Sequence, residues 1–440
     1  MESNTDCSNN FLTIQQYKEL MNYTEDSKTK KLKSCPLVDK LRQGKISRTS
    51  LVKISIFDNP SPQTNIKKDK ETINNILDNL PNLPESLTRQ EIGGIGSMLG
   101  MAIGDSMGHR FEFEPVKYNK IELKNMGEGP GGAFGLLPGQ WTDDTSMGLC
   151  LADSLLVQKG QFHPHDLMLR FLSWWIGGYD NAFRNNPRES CGLGGNISCS
   201  FRRYFEEFEP YTKAGDKNTS GNGSLMGNAA VPICFWNNIN LACDIARKQS
   251  YVTHQGTEAA ECCALLTYIV VNILNYVKLD LKKFLEKLVE GYSENDIKIK
   301  GFETSEESVK CLAESKQEGD DKDRNWNWRE KNFKYSPSRS KANPGYIGSY
   351  AMDALSMSLH IIYHTNNFKD AIIKAVNLRG DSDSVGSIVG QIAGAYYGVG
   401  SIDKDWVKTV GQWDSNEIAL RGYMLARLIP PENKLESKTK

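Results

Sequence analysis

Two short acidic segments carry the residue types best suited to chemistry. Gly139-Gln140-Trp141-Thr142-Asp143-Asp144-Thr145 sets two adjacent carboxylates between hydroxyls in a glycine-bounded stretch. About 240 residues later, Arg379-Gly380-Asp381-Ser382-Asp383-Ser384 alternates carboxylates with hydroxyls ahead of a helical pattern. Hard oxygen donors of this kind suit magnesium or manganese, and with no thiolate or clustered imidazole beside them they do not suit zinc or copper. The same residues also make good helix N-caps, because their oxygens accept the orphan N–H groups of a first turn. A cap needs one such residue, however. Four carboxylates confined to two helix starts repel one another unless a cation screens them.

Four further segments have the composition of site loops. Gly104-Asp105-Ser106-Met107-Gly108-His109-Arg110-Phe111-Glu112 puts Glu112 just past a glycine-rich helix end, and residues 127–139 form a Gly/Pro-rich approach to the acidic pair. Gly221-Asn222-Gly223-Ser224-Leu225-Met226-Gly227 opens a helix with small residues whose N–H groups can cradle a phosphate. Thr253-His254-Gln255-Gly256-Thr257 sets an imidazole at a helix junction. Singly, each is equally an ordinary glycine connection or a structural histidine; their weight lies in conjunction. His360 and His364, one turn apart, resemble half of a zinc site, yet no third ligand accompanies them and Leu359, Ile361 and Ile362 mark their helix as core.

These segments must be positioned by helices. Ile92, Ile95, Leu99, Ala102 and Ile103 follow helical spacing, while Gly96, Gly100, Gly104 and Gly108 recur every fourth residue beside them. Gly386, Gly390, Gly394 and Gly398 repeat the device after Asp383. An interior glycine costs a helix roughly 1 kcal/mol against alanine, so close backbone contact must offset the loss. The two stripes are therefore expected to lie against other central helices, or each other, with their acidic ends near the site. Further amphipathic runs and scarce strand patterns predict an all-α fold, a compact orthogonal bundle of about a dozen helices. Its expected span is 89–432, with 1–88 a polar, partly ordered appendage, 433–440 a tail, and 303–343 a charged surface insertion whose Trp326 and Trp328 anchor it to the domain.

Composition narrows the function. The chain has 440 residues, 39% of them hydrophobic, and a net charge of −1, so it can bury a large core and offers no massed basic face for nucleic acid. Its start lacks a signal-peptide pattern, and the apolar run Ala264–Leu274 is too short to span a bilayer. Ten cysteines without a CxxC pair read as reduced thiols. A cytoplasmic monomer without membrane or nucleic-acid partners is expected.

In order and spacing these motifs resemble the ADP-ribosylglycohydrolase superfamily. The resemblance spans about Glu91 to Leu428 and is carried by Gly104-Asp105 with Glu112-Phe113, Pro138 to Thr145, Asn222 to Met226, Thr253-His254, and Gly380 to Ser384 followed by Gly390 and Gly394-Ala395-Tyr396-Tyr397-Gly398. It implies a binuclear magnesium centre, with manganese as a substitute, held by Thr142, Asp143, Asp144, Asp381, Asp383 and Ser384. It also implies substrate contacts from Asp105, Gly139, Trp141, Asn222, Gly223, Ser224, Leu225, Met226 and His254. Asn222, Gly223 and Ser224 would meet the diphosphate, His254 the distal part of the ligand, and Glu112 would be a ligand or proton-transfer residue. The implied reaction removes ADP-ribose from a modified protein side chain, arginine by first expectation, with free ADP-ribose as product. The competing readings are a serine or other acceptor, and a catalytically silent ADP-ribose binder. A prenyl-diphosphate enzyme would need a further Asp after Asp143-Asp144, which Ser146-Met147 do not provide. Two departures stand out: Gly227 where the family commonly carries Arg, and Ser384 where Thr is usual.

Overall fold

In the computed structural model, which describes residues 24–25, 32–34, 66–182, 190–207, 209–211 and 219–430, two helices with facing glycine stripes form the centre. The described helices are α1 (Ile66–Asp78), α2 (Arg89–Gly108), α3 (Asp143–Val157), α4 (Pro164–Gly177), α5 (Gly195–Glu207), α6 (Ala230–Cys234), α7 (Ile239–Thr253), α8 (Thr257–Asn275), α9 (Leu281–Glu286), α10 (Glu307–Ala313), α11 (Pro337–Ala342), α12 (Ala351–Tyr363), α13 (Phe368–Val376), α14 (Ser382–Tyr397), α15 (Lys404–Gly411) and α16 (Glu417–Arg427). Among the described residues, β-structure is confined to two antiparallel two-stranded ladders, Thr24–Glu25 with Leu32–Ser34 and Tyr292–Glu294 with Ile297–Ile299, plus isolated bridges. The fold is all-α, as the sequence predicts.

α2 and α14 run antiparallel with their glycines opposed, so the two stripes do lie against each other. A Cβ added at Gly96, Gly100 or Gly104 would fall 2.2, 2.1 or 2.0 Å from the carbonyl oxygens of Gly394, Gly390 and Gly386. No side chain fits between the backbones, which is why the helix-propensity cost of these glycines is tolerated. At the last rung Gly108 abuts the backbone of Ser382 and Asp383. The acidic start of α14 is thereby brought beside the C-terminal end of α2, where Asp105 sits. On another face of α2, Gly94 and Gly422 are packed backbone to backbone, admitting α16.

Local chemistry fixes the helix ends. Thr88 and Glu91 form a reciprocal capping box at the start of α2: the Thr88 Oγ1 accepts from the Glu91 N–H at 3.2 Å and a Glu91 carboxylate oxygen accepts from the Thr88 N–H at 2.7 Å. α8 is long and apolar enough to cross a membrane, but its residues are buried inside the bundle, where it packs on α7, α14 and α12. A fully buried core helix has the same composition.

Two stretches are more integrated than their composition indicates. α1 lies inside the segment read as an appendage, yet Ile73, Ile76, Leu77 and Leu80 are buried and the helix packs on α16. Residues 1–23, 26–31 and 35–65 of this segment and the tail 433–440 lie outside the described residues. In the 303–343 insertion Trp326 and Trp328 are fully buried, and Trp328 donates from Nε1 to the Leu312 carbonyl at 2.7 Å. These indoles anchor the loop to its own domain and carry its charged residues to the site.

Candidate active site

A cavity of about 610 Å³ opens where α3 and α14 begin. Its floor is acidic: Asp143, Asp144, Asp381, Asp383 and Ser384 all line it, with Glu112 beside them. Ligand-type oxygens of Asp105, Asp144 and Asp383 lie within 4.8 Å of one another, and so do those of Glu112, Asp381 and Asp383. The two acidic segments, far apart in sequence, therefore meet. Glu112 is placed by a short backbone pairing, in which the Phe113 N–H donates to the Gly380 carbonyl at 2.9 Å and the Gly380 N–H to the Glu114 carbonyl at 2.8 Å. Gly380 adopts φ +65°, and a side chain there would strike the Ile347 carbonyl. The sharp turn that aims Asp381 inward thus requires glycine.

The carboxylates are held in an unfavourable electrostatic state. Burial, and then the neighbouring charges of Asp383 and Asp381, push the Glu112 carboxyl far above its ordinary range. Burial likewise raises Asp143, Asp144, Asp381 and Asp383, with adjacent carboxylates adding to the shift for Asp143, Asp144 and Asp383. Asp144 Oδ1 and Glu112 Oε2 are buried without a hydrogen-bond partner. An all-oxygen set with orphaned acceptors and mutual repulsion is what a divalent cation would relieve, so these residues fit hard-cation binding.

The surrounding contacts orient the acids. Asn222 Nδ2 donates to Asp381 Oδ2 at 2.9 Å and to the Gly348 carbonyl at 3.1 Å, while its own N–H donates to the Ser349 carbonyl at 2.8 Å. This ties the short 3₁₀ turn Asn222–Ser224 to the start of α12. Ser384 Oγ rests 3.5 Å from Met226 Sδ. His254 lines the cavity beside Gly221 and Gly223, with Nδ1 2.9 Å from Thr253 Oγ1. Its burial lowers the imidazole to about 4, so the ring is neutral near pH 7.

Of the residues read as substrate contacts, Asn222, Gly223, Met226 and His254 line the cavity, and Asp105, Gly139, Trp141, Ser224 and Leu225 do not. Asp105 is buried, and its two oxygens accept from the N–H and hydroxyl groups of both Thr142 and Thr145, at 2.6–3.2 Å. It satisfies orphan donors at the start of α3 and so orients the Asp143-Asp144 turn from behind. Trp141 is a core residue whose Nε1 donates to the Asp180 carbonyl at 3.1 Å. Gly139 has φ +85° and no room for a side chain against Thr409. Ser224 is hydrogen-bonded to Ser250 at 2.7 Å, and Leu225 is fully buried. Thr142, read as a ligand, has its hydroxyl 2.9 Å from Asp105 Oδ1 and 3.4 Å from Asp144 Oδ2, behind the cavity wall. Gly227, in place of the expected Arg, lies against the backbone of Gly148, with 2.9 Å between its notional Cβ and Gly148 N. α3 approaches too closely here for a long side chain.

The cavity also gathers residues that the sequence reading passed over. Gly192, Gly194, Gly195 and Asn196 form one wall, and a glycine-rich run was the available signal. Tyr346 stacks on Phe113 with ring centroids 5.0 Å apart at the mouth. Arg324 and Arg339 come from the insertion, each already paired: Arg324 with Glu258 and Glu318, Arg339 with Asp353. Asp321 and Asp323 add an acidic edge.

With this geometry in hand, comparison with known proteins is specific. The family described as ADP-ribosylglycohydrolase matches residues 93–432. The chain is 30% identical over 316 residues to the ADP-ribosylarginine hydrolase Tri1 of Pseudomonas putida (strain GB-1), covering 72% of this chain and 73% of that protein. It is 26% identical over 331 residues to the ADP-ribosyl-[dinitrogen reductase] glycohydrolase of Rhodospirillum rubrum, covering 74% of this chain and 92% of that one. A solved structure described as an ADP-ribosylglycohydrolase-related protein complex aligns with a TM-score of 0.56 at 29% identity, over 77% of this chain and 100% of its own.

Proposed function

This chain belongs to the ADP-ribosylglycohydrolase family, and we propose that it is a magnesium-dependent hydrolase releasing ADP-ribose from modified arginine side chains through a binuclear centre. The observation that carries the reading is the meeting of the α3 and α14 acidic starts, with orphaned buried oxygens, on the floor of one cavity. Asp143, Asp144, Asp381, Asp383 and Ser384 would hold two hard cations, with the Thr142 hydroxyl close behind them. Such ions orient ribose hydroxyls and lower the pKa of a water when bound.

The chain's own groups supply the rest. The Asn222 amide fixes Asp381, and Gly221 and Gly223, without side chains, let a diphosphate approach the backbone there. Neutral His254 contributes a ring edge beside those glycines and no charge. Glu112, raised by burial and by the Asp383 and Asp381 charges that bound cations would screen, stands at the floor as a further ligand or as the proton-transfer group. Asp321 and Asp323 give the cavity an acidic edge that suits a guanidinium, since Arg324 and Arg339 are already matched by carboxylates.

Arginine is further supported by the name of the Pseudomonas putida relative. The test is a panel of peptides ADP-ribosylated on arginine or on serine, assayed with magnesium and with chelator. Magnesium-dependent cleavage of the arginine peptide is expected. Faster cleavage of the serine peptide would overturn the acceptor, and ADP-ribose binding without turnover of either peptide would overturn the activity.

A further inference from the structure

A second cavity, of about 750 Å³, lies apart from the acidic cleft and shares no residue with it. Its walls come from residues 117–121, from residues 331–334 of the insertion, and from α12, α13 and the turn that follows. The floor is apolar, made by Phe333, Met357, Ile361, Ile373 and Leu378; all are buried except Ile373, which is partly so. The rim is cationic: Lys117, Lys120, Lys331, Lys334 and Lys374 line the cavity against a single carboxylate, Asp370. Asp370 is engaged at the start of α13, where Asn367 donates to its carboxylate and accepts from its N–H. Lys120 is paired with Glu122, which lies outside the lining, and Lys334 stands 4.9 Å over the Tyr118 ring. With Lys120 matched by Glu122, this is a local excess of three positive charges, four lysines less one aspartate, around an apolar pit in a chain of net charge −1.

An apolar floor under a basic rim recognises a molecule with an apolar body and an anionic head. The volume falls in the range of about 300–1,000 Å³ typical of small-molecule sites. His360 supplies a polar handle in the floor. Its Nδ1 lies 2.9 Å from the Trp328 carbonyl, which can only accept, so that nitrogen carries the hydrogen and Nε2 of the neutral ring is an acceptor. The walls themselves are fixed: Tyr118 Oη accepts from the Tyr335 N–H at 3.1 Å, and the Lys117 N–H donates to the Leu378 carbonyl at 3.0 Å.

We propose that this second cavity binds a small amphiphilic organic anion, a planar or aliphatic apolar body bearing one phosphate or carboxylate, independently of the acidic cleft. The reading does not depend on the reaction assigned to that cleft. The test is isothermal titration of the full chain, with saturating ADP-ribose present to occupy the cleft, using 1-naphthyl phosphate and decanoate as separate probes. One equivalent of at least one probe is expected to bind: naphthyl phosphate if the head is phosphate on a planar body, decanoate if it is carboxylate on an acyl chain. Neutral 1-naphthol should bind at least tenfold more weakly than its phosphate if the planar arm holds. The double variant Lys331→Glu/Lys334→Glu, at two exposed positions, should weaken binding at least tenfold while far-UV circular dichroism and basal hydrolysis stay at the parental level. Absence of binding by both probes, affinity unchanged in the double variant, or competition by ADP-ribose would each overturn the proposal.

Discussion

Replacing Gly100 with alanine tests the packing that places the whole site. The added methyl would lie 2.1 Å from the Gly390 carbonyl oxygen, 0.9 Å inside the 3.0 Å below which real Cβ contacts essentially do not occur. The obstacle is backbone, so no rotamer change relieves it. The rungs at Gly96–Gly394 and Gly104–Gly386 are equally tight, so the helices cannot simply pivot about a neighbour. Overpacking of this kind costs about 3 kcal/mol, at the upper end of its usual range, while the alanine returns about 1 kcal/mol of helix propensity. The net loss is about 2 kcal/mol, read as a lowered urea midpoint at unchanged slope in chemical unfolding followed by circular dichroism. Gly195→Ala is the control: nothing lies within 4 Å of its notional Cβ and its φ is ordinary, so a change within about 0.5 kcal/mol is expected. Gly108→Ala, directed at the backbone of Asp383, should lower hydrolysis more than Gly100→Ala does at equal loss of stability. If Gly100→Ala were as stable as the parent, the contact between glycine stripes would not be what holds α2 against α14.

Arg421 is fully buried and donates to Asp153 Oδ1 at 2.7 Å, Asp153 Oδ2 at 3.0 Å and Asp180 Oδ1 at 2.9 Å. Arg421→Met removes the guanidinium from both carboxylates, although Asp153 keeps the Tyr179 hydroxyl, and should cost about 3–5 kcal/mol in chemical unfolding, the range for breaking a buried pair from one side. Acid also acts on three buried imidazoles. His109, His254 and His360 are lowered, chiefly by burial, from 6.5 to about 4, so at these sites the unfolded chain binds more protons between those limits. Their contribution is fully present above pH 6.5 and is lost as pH falls towards 4, by up to about 3 kcal/mol each at 1.36 kcal/mol per unit. The raised carboxylates of the cavity act in the opposite direction, so the imidazole contribution is read as a difference: the stability of the parent minus that of His254→Gln, from unfolding midpoints at pH 7.5, 6.0 and 5.0, should fall as the pH is lowered.

Much of this architecture was legible because it repeats. Helical periods and glycines every fourth residue declared α2 and α14, and the cost of those glycines forced the inference of backbone contact. The acidic motifs declared themselves through a surplus of carboxylates beyond any capping need. Tertiary placement hid the remainder. Asp105 and Trp141 sit beside the motifs in sequence, yet one braces the start of α3 and the other fills the core, and no local pattern separates a residue facing a cavity from one behind its wall. Arg324 and Arg339 belong to a charged, aliphatic-poor stretch, and only the burial of Trp326 and Trp328 brings them to the site. The composition of α1 is that of an appendage because its polar face dominates, although its narrow apolar stripe is enough to dock on α16.

The central claim is that the starts of α3 and α14 jointly hold two divalent cations. Manganese binding to the full chain, followed by loss of the free-ion signal in electron paramagnetic resonance, addresses it directly and needs no substrate. Two ions per chain are expected for the parent, with a spin-coupled spectrum at saturation. Asp144→Asn and Asp383→Asn, one from each helix, should each remove at least one ion while circular dichroism stays helical. If the parent bound no manganese at millimolar concentration, or both variants retained two ions at parental affinity, the shared metal centre would be contradicted.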